Sequence, residues 1–185
     1  MLDAISLLVL DVDGVLADGR IVLDTRGTEI KAFNCLDGQG IKYWLRAGHR
    51  AAVLSGRASK AASKRAAELG IEAVYMGIKD KLPVFEKMLK RFRVAALGVC
   101  YVGDDLVDIP PMARAGFAVA PANAVEEVKR VAHYVTAADG GAGAVRETIE
   151  LILTYQGLWD RVTRRYQDRL PSDLPARRNP WRDRP

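Results

Sequence analysis

The chain has 185 residues, of which 49% are hydrophobic and 28% charged, and its formal net charge is +5. This length suits one domain with a sizeable core, and no apolar run approaches the length that crosses a bilayer. Segment 157–185 holds eight Arg against four Asp and so carries +4 of the +5, which leaves the rest of the chain without the broad positive surface of a nucleic-acid-binding protein. We therefore expect neither nucleic acid nor a membrane as a partner.

Two regions of different composition divide the chain. We expect residues 1–156 to form the folded domain and residues 157–185 to form a basic Arg- and Pro-rich tail that is partly disordered. Four prolines fall within the last fifteen residues, which we expect to form no helix. The two cysteines, Cys35 and Cys100, are too few for a disulfide framework, and this favours a cytoplasmic protein.

Short apolar runs alternate with helical patterns through residues 6–156. In chain order we predict a strand at 6–10, a β-hairpin with legs at 20–24 and 29–33, a helix at 38–47, a strand at 51–54, a helix at 59–69, a strand at 73–75, a helix at 80–92, a strand at 98–102, a helix at 106–115, a strand at 117–119, a helix at 124–132, a strand at 134–135 and a helix at 144–155. This alternation is typical of an α/β fold with a doubly wound, mostly parallel sheet, from which the small hairpin projects.

Polar side chains follow four of the predicted strands. Asp11 and Asp13 come directly after the first strand, Ser55 after the second and Lys81 shortly after the third; the fourth leads into the acids Asp104, Asp105 and Asp108. Because the carboxyl ends of parallel strands meet at one edge of a sheet, we expect these groups to lie together. Adjacent carboxylates repel unless a positive group lies between them, so the pattern predicts a site for phosphate and a metal ion.

Each of these signals is ambiguous when taken singly. An acidic turn explains Asp11 and Asp13 about as well as a catalytic pair does. A helix N-cap explains Asp104 and Asp105, and a solvated surface residue is the commoner reading of a single lysine such as Lys81.

Six segments in order make the pattern more specific. They are DVDGVLADG (11–19), FNCLDGQGIK (33–42), LSGR (54–57), GIKDKL (77–82), YVGDDLVDIPPM (101–112) and GGAGAVRE (140–147). Together they resemble the haloacid dehalogenase-like (HAD-like) phosphatases, whose sheet is of the Rossmannoid type, and within that superfamily the 3-deoxy-D-manno-octulosonate 8-phosphate phosphatase family. The resemblance implies a Mg²⁺-dependent phosphomonoesterase of lipopolysaccharide biosynthesis that acts on a phosphorylated 3-deoxy-2-keto sugar acid.

The resemblance also implies roles for the polar residues. Asp11 would be the nucleophile that forms an aspartyl-phosphate, and Asp13 the acid and base. The Asp11 carboxylate, the Asp13 backbone carbonyl and Asp104 would hold Mg²⁺. Ser55 and Lys81 would hold the phosphoryl group. Around them, Asp105 and Asp108 would orient waters or pair with Lys81.

The substrate is the more open question. The residues expected to bind it are Asp13, Asn34, Cys35, Leu36, Asp37, Gly38, Lys42, Gly56, Arg57, Arg65 and Lys81. Leu36 stands where the family often has Arg, so a nonulosonate 9-phosphate is an alternative to octulosonate 8-phosphate. From a different class, a receiver-type phosphoacceptor module also combines acids, a hydroxyl and a lysine on a doubly wound sheet.

The intervals between the motifs are short. Neither 11–55 nor 55–81 can hold the separate cap domain that many members of the superfamily place over the substrate. We therefore expect an uncapped site that is open in the monomer and covered by a neighbouring subunit. The resemblance implies a homotetramer in which the hairpins associate.

Overall fold

The structure, a computed structural model, describes residues 2–168. The strands are β1 (Leu7–Leu10), β2 (Val22–Leu23), β3 (Glu29–Ile30), β4 (Arg50–Leu54), β5 (Ala73–Tyr75), β6 (Val99–Val102), β7 (Phe117–Ala120) and β8 (Tyr134–Val135). The helices are α1 (Cys35–Arg46), α2 (Lys60–Leu69), α3 (Lys81–Phe92), α4 (Ile109–Met112), α5 (Glu126–Val131), α6 (Ala144–Tyr155) and α7 (Trp159–Gln167). Within these residues, no helix combines the length and the apolar character needed to span a bilayer.

Six strands form one parallel sheet in the order β5-β4-β1-β6-β7-β8, and β2 and β3 form a separate antiparallel hairpin. The chain leaves β1 toward one side for β4 and β5 and then crosses to the other side for β6, β7 and β8. This arrangement confirms the predicted doubly wound α/β fold. Its topological switch point lies at β1, where such sheets bind their ligands.

Strand register explains why the polar residues converge. Leu10, the last residue of β1, is aligned with Val53 in β4 and with Val102 in β6. Asp11 therefore follows β1 at the same edge at which Ser55 follows β4 and Asp104 follows β6. These three positions are fixed by backbone pairing rather than by long loops.

The core lies on both faces of the sheet. Side chains of β1 alternate, so that Leu8 and Leu10 pack against α1, α2 and α6, whereas Leu7 and Val9 pack against α3, α4 and α5. All four side chains are fully buried. This two-sided burial accounts for the uninterrupted apolar run of the first strand.

Several elements differ in extent from the sequence-based expectations. The helix expected at 106–115 is a 3₁₀ turn (Leu106–Asp108) followed by the single turn of α4, because Pro110 and Pro111 supply no N–H donors. Helix α1 begins earlier than expected, since the Asn34 side chain caps it by accepting from Leu36 N at 2.7 Å. The paired part of each hairpin leg is two residues long.

Helix α7 was not identified from the sequence. It packs on α1 and α6 through the buried side chain of Val162 and an edge-to-face contact of Trp159 with Tyr43, whose ring centroids are 5.5 Å apart. Arg46 donates to Val162 O at 2.9 Å. This helix lies in the segment assigned to the tail, whereas the expectation of no helix in the last fifteen residues falls outside the described part of the chain.

The start of α6 is held by a buried carboxylate of α1. Asp37 is 1% exposed and accepts from the backbone N–H groups of Arg146 at 2.8 Å and Gly143 at 3.2 Å. These are N–H groups that the helix itself leaves without partners. Asp37 therefore joins two segments that are more than a hundred residues apart.

We expect Asp37→Ala to lower the free energy of unfolding by about 1–3 kcal/mol, because it removes two accepted hydrogen bonds at a helix terminus. Asp37→Asn keeps one acceptor oxygen and should lose less. Urea unfolding followed by circular dichroism measures both. The control is Glu72→Ala, an exposed acid that should change stability by no more than about 0.5 kcal/mol. Equal stability of Asp37→Ala and the control would contradict this capping role.

Candidate active site

An open cleft of about 250 Å³ lies at the carboxyl ends of β1, β4 and β6. The described residues that line it are Asp11, Asp13, Gly19, Ser55, Gly56, Arg57, Lys81, Asp104, Asp105 and Val107. The acids, hydroxyl and lysine singled out in the sequence thus surround one cavity, apart from Asp108, which is fully buried behind it.

Lys81 is the buried cation of the site. Its side chain is fully buried, and its ammonium lies 3.0 Å from Asp11 Oδ2 and 2.7 Å from Asp108 Oδ1. Burial opposes the charged form, but the Asp11 and Asp108 carboxylates outweigh it and raise the pKa of Lys81 above its ordinary value. A permanent positive charge therefore lies directly beside Asp11.

Asp108 holds Lys81 in place, and both of its carboxylate oxygens accept hydrogen bonds. Its Oδ1 accepts from Lys81 Nζ and from the hydroxyl of Tyr101, each at 2.7 Å. Its Oδ2 accepts from the backbone N–H groups of Asp104 at 3.3 Å and Asp105 at 3.4 Å. Tyr101 is a supporting residue that the sequence analysis missed, because its place in an apolar strand gave no sign of a polar contact.

Asp11 and Asp104 each have a buried oxygen that lacks a partner. Oδ1 of each residue makes no hydrogen bond to any described residue, although buried polar atoms are normally paired. Three carboxylate oxygens lie within 4.8 Å of one another, one each from Asp11, Asp104 and Asp108. Because the oxygens of Asp108 are taken, the two orphan oxygens are the donors available to a cation. A hard, oxygen-only donor set of this kind suits Mg²⁺.

The pKa values of the Asp11 and Asp104 carboxyls also indicate a cation site. Burial, reinforced by the charge of Asp108 and opposed by Lys81, raises the pKa of Asp11 from 3.8 to about 6. Burial, reinforced by the charges of Asp11 and Asp108, raises the pKa of Asp104 from 3.8 to about 8. A divalent cation between them would offset this repulsion.

Gly14 allows the close approach of the two acidic loops. Its φ is +81°, and a Cβ there would lie 2.0 Å from Asp104 Oδ2. Any side chain would displace the Asp104 carboxylate. The Gly of the Asp-x-Asp-Gly segment is therefore required by the position of Asp104, 90 residues later in the chain.

The second strand end supplies the hydroxyl and a further cation. Ser55 is 2% exposed, and its Oγ lies 3.4 Å from Arg57 N. Gly56 lines the cleft beside it. The guanidinium of Arg57 is half-exposed and contacts Glu29 Oε1 at 3.0 Å and Asp13 Oδ2 at 3.9 Å.

Two charged residues of the hairpin leg were missed in the sequence. Lys31 contacts Asp13 Oδ1 and lies 3.2 Å from Glu29 Oε1, and its side chain is 1% exposed. Alternation along the hairpin places Glu29 and Lys31 on the same face. That opposite-charge pair was the available signal, but nothing in the sequence indicated that this face turns toward Asp13.

The remaining predicted substrate-binding residues do not line the cleft in the described chain. Asn34 caps α1, Asp37 caps α6, and Cys35, Leu36 and Lys42 are exposed. A Cβ on Gly38 would lie 2.2 Å from Arg65 Nη2, so this arginine lies against the first turn of α1. Arg65 and residues 34–38 thus form a group outside the lining of the cleft, which we call the α1 patch. The role of this patch and of Lys42 in binding substrate stays a prediction.

Comparisons with known proteins agree with this geometry. Residues 77–147 match the haloacid dehalogenase-like hydrolase family. The chain is 46% identical over 158 residues to 3-deoxy-D-manno-octulosonate 8-phosphate phosphatase KdsC of Escherichia coli (strain K12), covering 85% of this chain and 84% of the relative.

Two solved structures are also similar. One is the 3-deoxy-D-manno-octulosonate 8-phosphate phosphatase of Moraxella catarrhalis in complex with a magnesium ion, a phosphate ion and a KDO molecule, with a TM-score of 0.88, 38% identity and coverage of 90% of this chain and 95% of that one. The other is the cobalt-bound deoxy-D-mannose-octulosonate 8-phosphate phosphatase (YrbI) of Haemophilus influenzae, with a TM-score of 0.82, 40% identity and coverage of 84% and 91%.

The raised pKa values predict how stability depends on pH and on Mg²⁺. Both pKa values lie above 3.8, so the two protonated carboxyls favour the folded state at low pH and this contribution is lost as pH rises through about 6 and about 8. Without metal, Tm should therefore fall between pH 5 and pH 8.5. Because Mg²⁺ binds only the deprotonated carboxylates, the rise in Tm that it causes should be larger at pH 8 than at pH 6.

Thermal unfolding in EDTA and in MgCl₂ measures this dependence. Asp104→Asn should abolish the Mg²⁺-dependent rise and, in EDTA at pH 8, melt at or above the wild-type Tm, because one buried charge is gone. Asp80→Asn, at an exposed carboxylate that makes no capping bond, is the control and should keep the rise. A Mg²⁺ effect that is the same at both pH values would contradict the assignment of the site.

Proposed function

Because the chain belongs to the 3-deoxy-D-manno-octulosonate 8-phosphate phosphatase family of haloacid dehalogenase-like hydrolases, we propose that it is a Mg²⁺-dependent phosphomonoesterase that releases phosphate from 3-deoxy-D-manno-octulosonate 8-phosphate. The observation that carries this proposal is the pairing of Asp11 with buried Lys81 beside the two orphan oxygens of Asp11 and Asp104. The family places this reaction in lipopolysaccharide biosynthesis.

Asp11 is the nucleophile of the proposed reaction. One of its carboxylate oxygens attacks phosphorus in line, and the bond from phosphorus to the sugar oxygen breaks as the aspartyl-phosphate forms. Lys81, 3.0 Å from Asp11 Oδ2, offsets the negative charge of the phosphoryl group as it approaches. The Ser55 hydroxyl at the neighbouring strand end donates to a phosphoryl oxygen.

Asp13 completes the proposed chemistry at the mouth of the cleft. It gives a proton to the departing sugar oxygen and later takes one from the water that hydrolyses the aspartyl-phosphate. Mg²⁺, held by the Asp11 and Asp104 carboxylates and the Asp13 backbone carbonyl, would supply electrostatic stabilisation of the transferring group. Asp105 and Asp108 orient the groups around this centre, Asp108 through its bonds to Lys81 and to the Asp104 loop.

Arg57 is the residue of the cleft that we assign to the sugar acid. It is a half-exposed guanidinium at the rim, and guanidinium groups bind carboxylates in a bidentate manner. Leu36 leaves the α1 patch without the arginine that the family often has there. A nonulosonate 9-phosphate is therefore the second candidate substrate, and a comparison of the two esters decides between them.

We further propose that the enzyme is a homotetramer assembled through the hairpin. Ile21, Val22, Leu23 and Ile30 are 47–60% exposed, and such a cluster of apolar side chains on a small projection is typical of an interface. Assembly would bring the α1 patch of one subunit to the open cleft of another. We propose residues 1–156 as the catalytic domain; α7, which belongs to the basic segment 157–185, packs against this domain rather than extending from it. The proposed location is the cytoplasm.

Asp11→Asn should lower kcat for octulosonate 8-phosphate by at least about 10³-fold, because an amide cannot act as the nucleophile. Phosphate release from octulosonate 8-phosphate and a nonulosonate 9-phosphate, with Mg²⁺ and with EDTA, measures the activity and the preference. Asp18→Asn, in the same loop but exposed, is the control and should retain activity. Unchanged turnover in Asp11→Asn would refute the mechanism, and a long-lived phosphoprotein without turnover would indicate a receiver-type module instead.

The double variant Val22→Asp/Ile30→Asp should dissociate the tetramer, because these two residues are directly paired across the hairpin and the change places charges on the apolar face that they share. Size-exclusion chromatography with light scattering should show four chains for the wild type and one for the variant. Leu97→Asp, at a 73% exposed leucine away from the hairpin, is the matched control and should remain tetrameric. A fully active wild-type monomer would remove this proposal.

A further inference from the structure

Lys31 is a charged residue beside the cleft that has no part in the reaction outlined above. The residue as a whole is half-buried but its side chain is only 1% exposed, and a lysine side chain so well covered is normally paired. The partners are Asp13 Oδ1 and Glu29 Oε1, the latter at 3.2 Å. Lys31 thus reaches from the hairpin leg to the loop that follows β1.

The pair belongs to a cluster of four charges that is neutral overall. Arg57 bridges the two acids, 3.0 Å from Glu29 Oε1 and 3.9 Å from Asp13 Oδ2. The side chain of Ser59, at the start of α2, and the charges of Lys31 and Arg57 lower the pKa of Glu29. Glu29 is thus a second acidic partner of Lys31, and it lies outside the loop that carries Asp13.

The two oxygens of Asp13 are held unequally. Oδ1 is in direct contact with Lys31, whereas the nearest Arg57 nitrogen is 3.9 Å from Oδ2, which is beyond hydrogen-bond distance. Arg57 is also 43% exposed, so its attraction is screened by solvent. Lys31 therefore fixes the rotamer of Asp13 and leaves Oδ2 as the oxygen that can serve the departing group.

Resting on the proposed function, we infer that Lys31 is a positioning residue that aims the Asp13 carboxyl at the leaving oxygen of the phosphoester. In the step concerned, a bond forms between an Asp11 oxygen and phosphorus, the bond from phosphorus to the sugar oxygen breaks, and the Asp13 proton moves to that oxygen. Misplacement of a proton donor by about 1 Å is enough to lower the rate about 10²-fold.

The dependence on the leaving group separates this role from a structural one. A sugar alkoxide is a poor leaving group and needs the proton, whereas p-nitrophenolate leaves readily without it. A damaged fold would impair both reactions, but misplacement of the acid impairs the first alone. The ratio kcat/KM extends only to the first irreversible step, so it does not include the later activation of water by Asp13.

The test is Lys31→Met, which keeps the length of the side chain and removes its charge. We expect kcat/KM for octulosonate 8-phosphate to fall about 10²-fold, and that for p-nitrophenyl phosphate to fall no more than about 3-fold. Asp13→Asn should show the same selectivity for the good leaving group. Lys31→Arg should restore most of the lost activity, and Lys79→Met, at an exposed lysine, is the control and should match the wild type.

An equal fall on both substrates, or no fall on either, would overturn the inference. Should Lys31→Met lack the wild-type melting transition, the same comparison is made with Lys31→Gln. Wild-type activity on octulosonate 8-phosphate tests the proposed function separately. If that ester is not hydrolysed, the selectivity of the Lys31 variants is measured on any alkyl phosphate that the wild type does hydrolyse.

Discussion

The site depends on the ion pairs that the buried ammonium of Lys81 makes with two carboxylates. It lies between Asp11 and Asp108, and Asp108 in turn holds the backbone of the Asp104 loop. Three carboxylates and one ammonium nevertheless leave two negative charges uncompensated at one end of the sheet. This excess negative charge is seen at Asp104. Its pKa rises to about 8 because burial and the charges of Asp11 and Asp108 oppose its ionisation. The protein alone is thus incomplete electrostatically, and a divalent cation supplies the missing charge.

The loop that carries Asp11 is held from two directions. Asp104 lies against Gly14 on one side, and on the other a Cβ on Gly140 would lie 1.7 Å from Gly14 O. Gly140 belongs to the loop that leads into α6, and Asp37 of α1 caps the start of α6. The packing of α1 on α6 and the position of Asp11 are therefore mechanically linked. Asp37 is therefore connected to the loop that carries Asp11 through the start of α6, whatever its part in binding substrate.

The sequence was sufficient to predict the sheet and the edge at which the polar residues meet, because both depend on local signals. Apolar strands followed at once by polar residues place Asp11, Ser55 and Asp104 without reference to the rest of the chain. The pairing of Lys31 with Asp13 was not predictable in this way, because it depends on how the hairpin turns back toward the sheet. Asp37 was assigned to the substrate because the matching motif contains it, yet its capping bonds reach a helix more than a hundred residues away. Pro110 and Pro111 shortened a helix whose apolar pattern alone suggested three turns.

The cleft of a single chain contains more groups for the phosphoryl end of the substrate than for the sugar end. Most of its lining residues are those proposed to act on the phosphoryl group, and Arg57 is the lining residue proposed to bind the sugar acid. The α1 patch is not among the lining residues of the cleft, and in it Arg65 lies against Gly38. Strand register thus brings the groups proposed for phosphoryl transfer together within one subunit, whereas under the proposed assembly a neighbouring subunit would complete the surface for the sugar acid. Leu36, where the family often has Arg, lies in the α1 patch, so under this proposal a changed preference among sugar acids would not require a change at Asp11, Asp104 or Lys81.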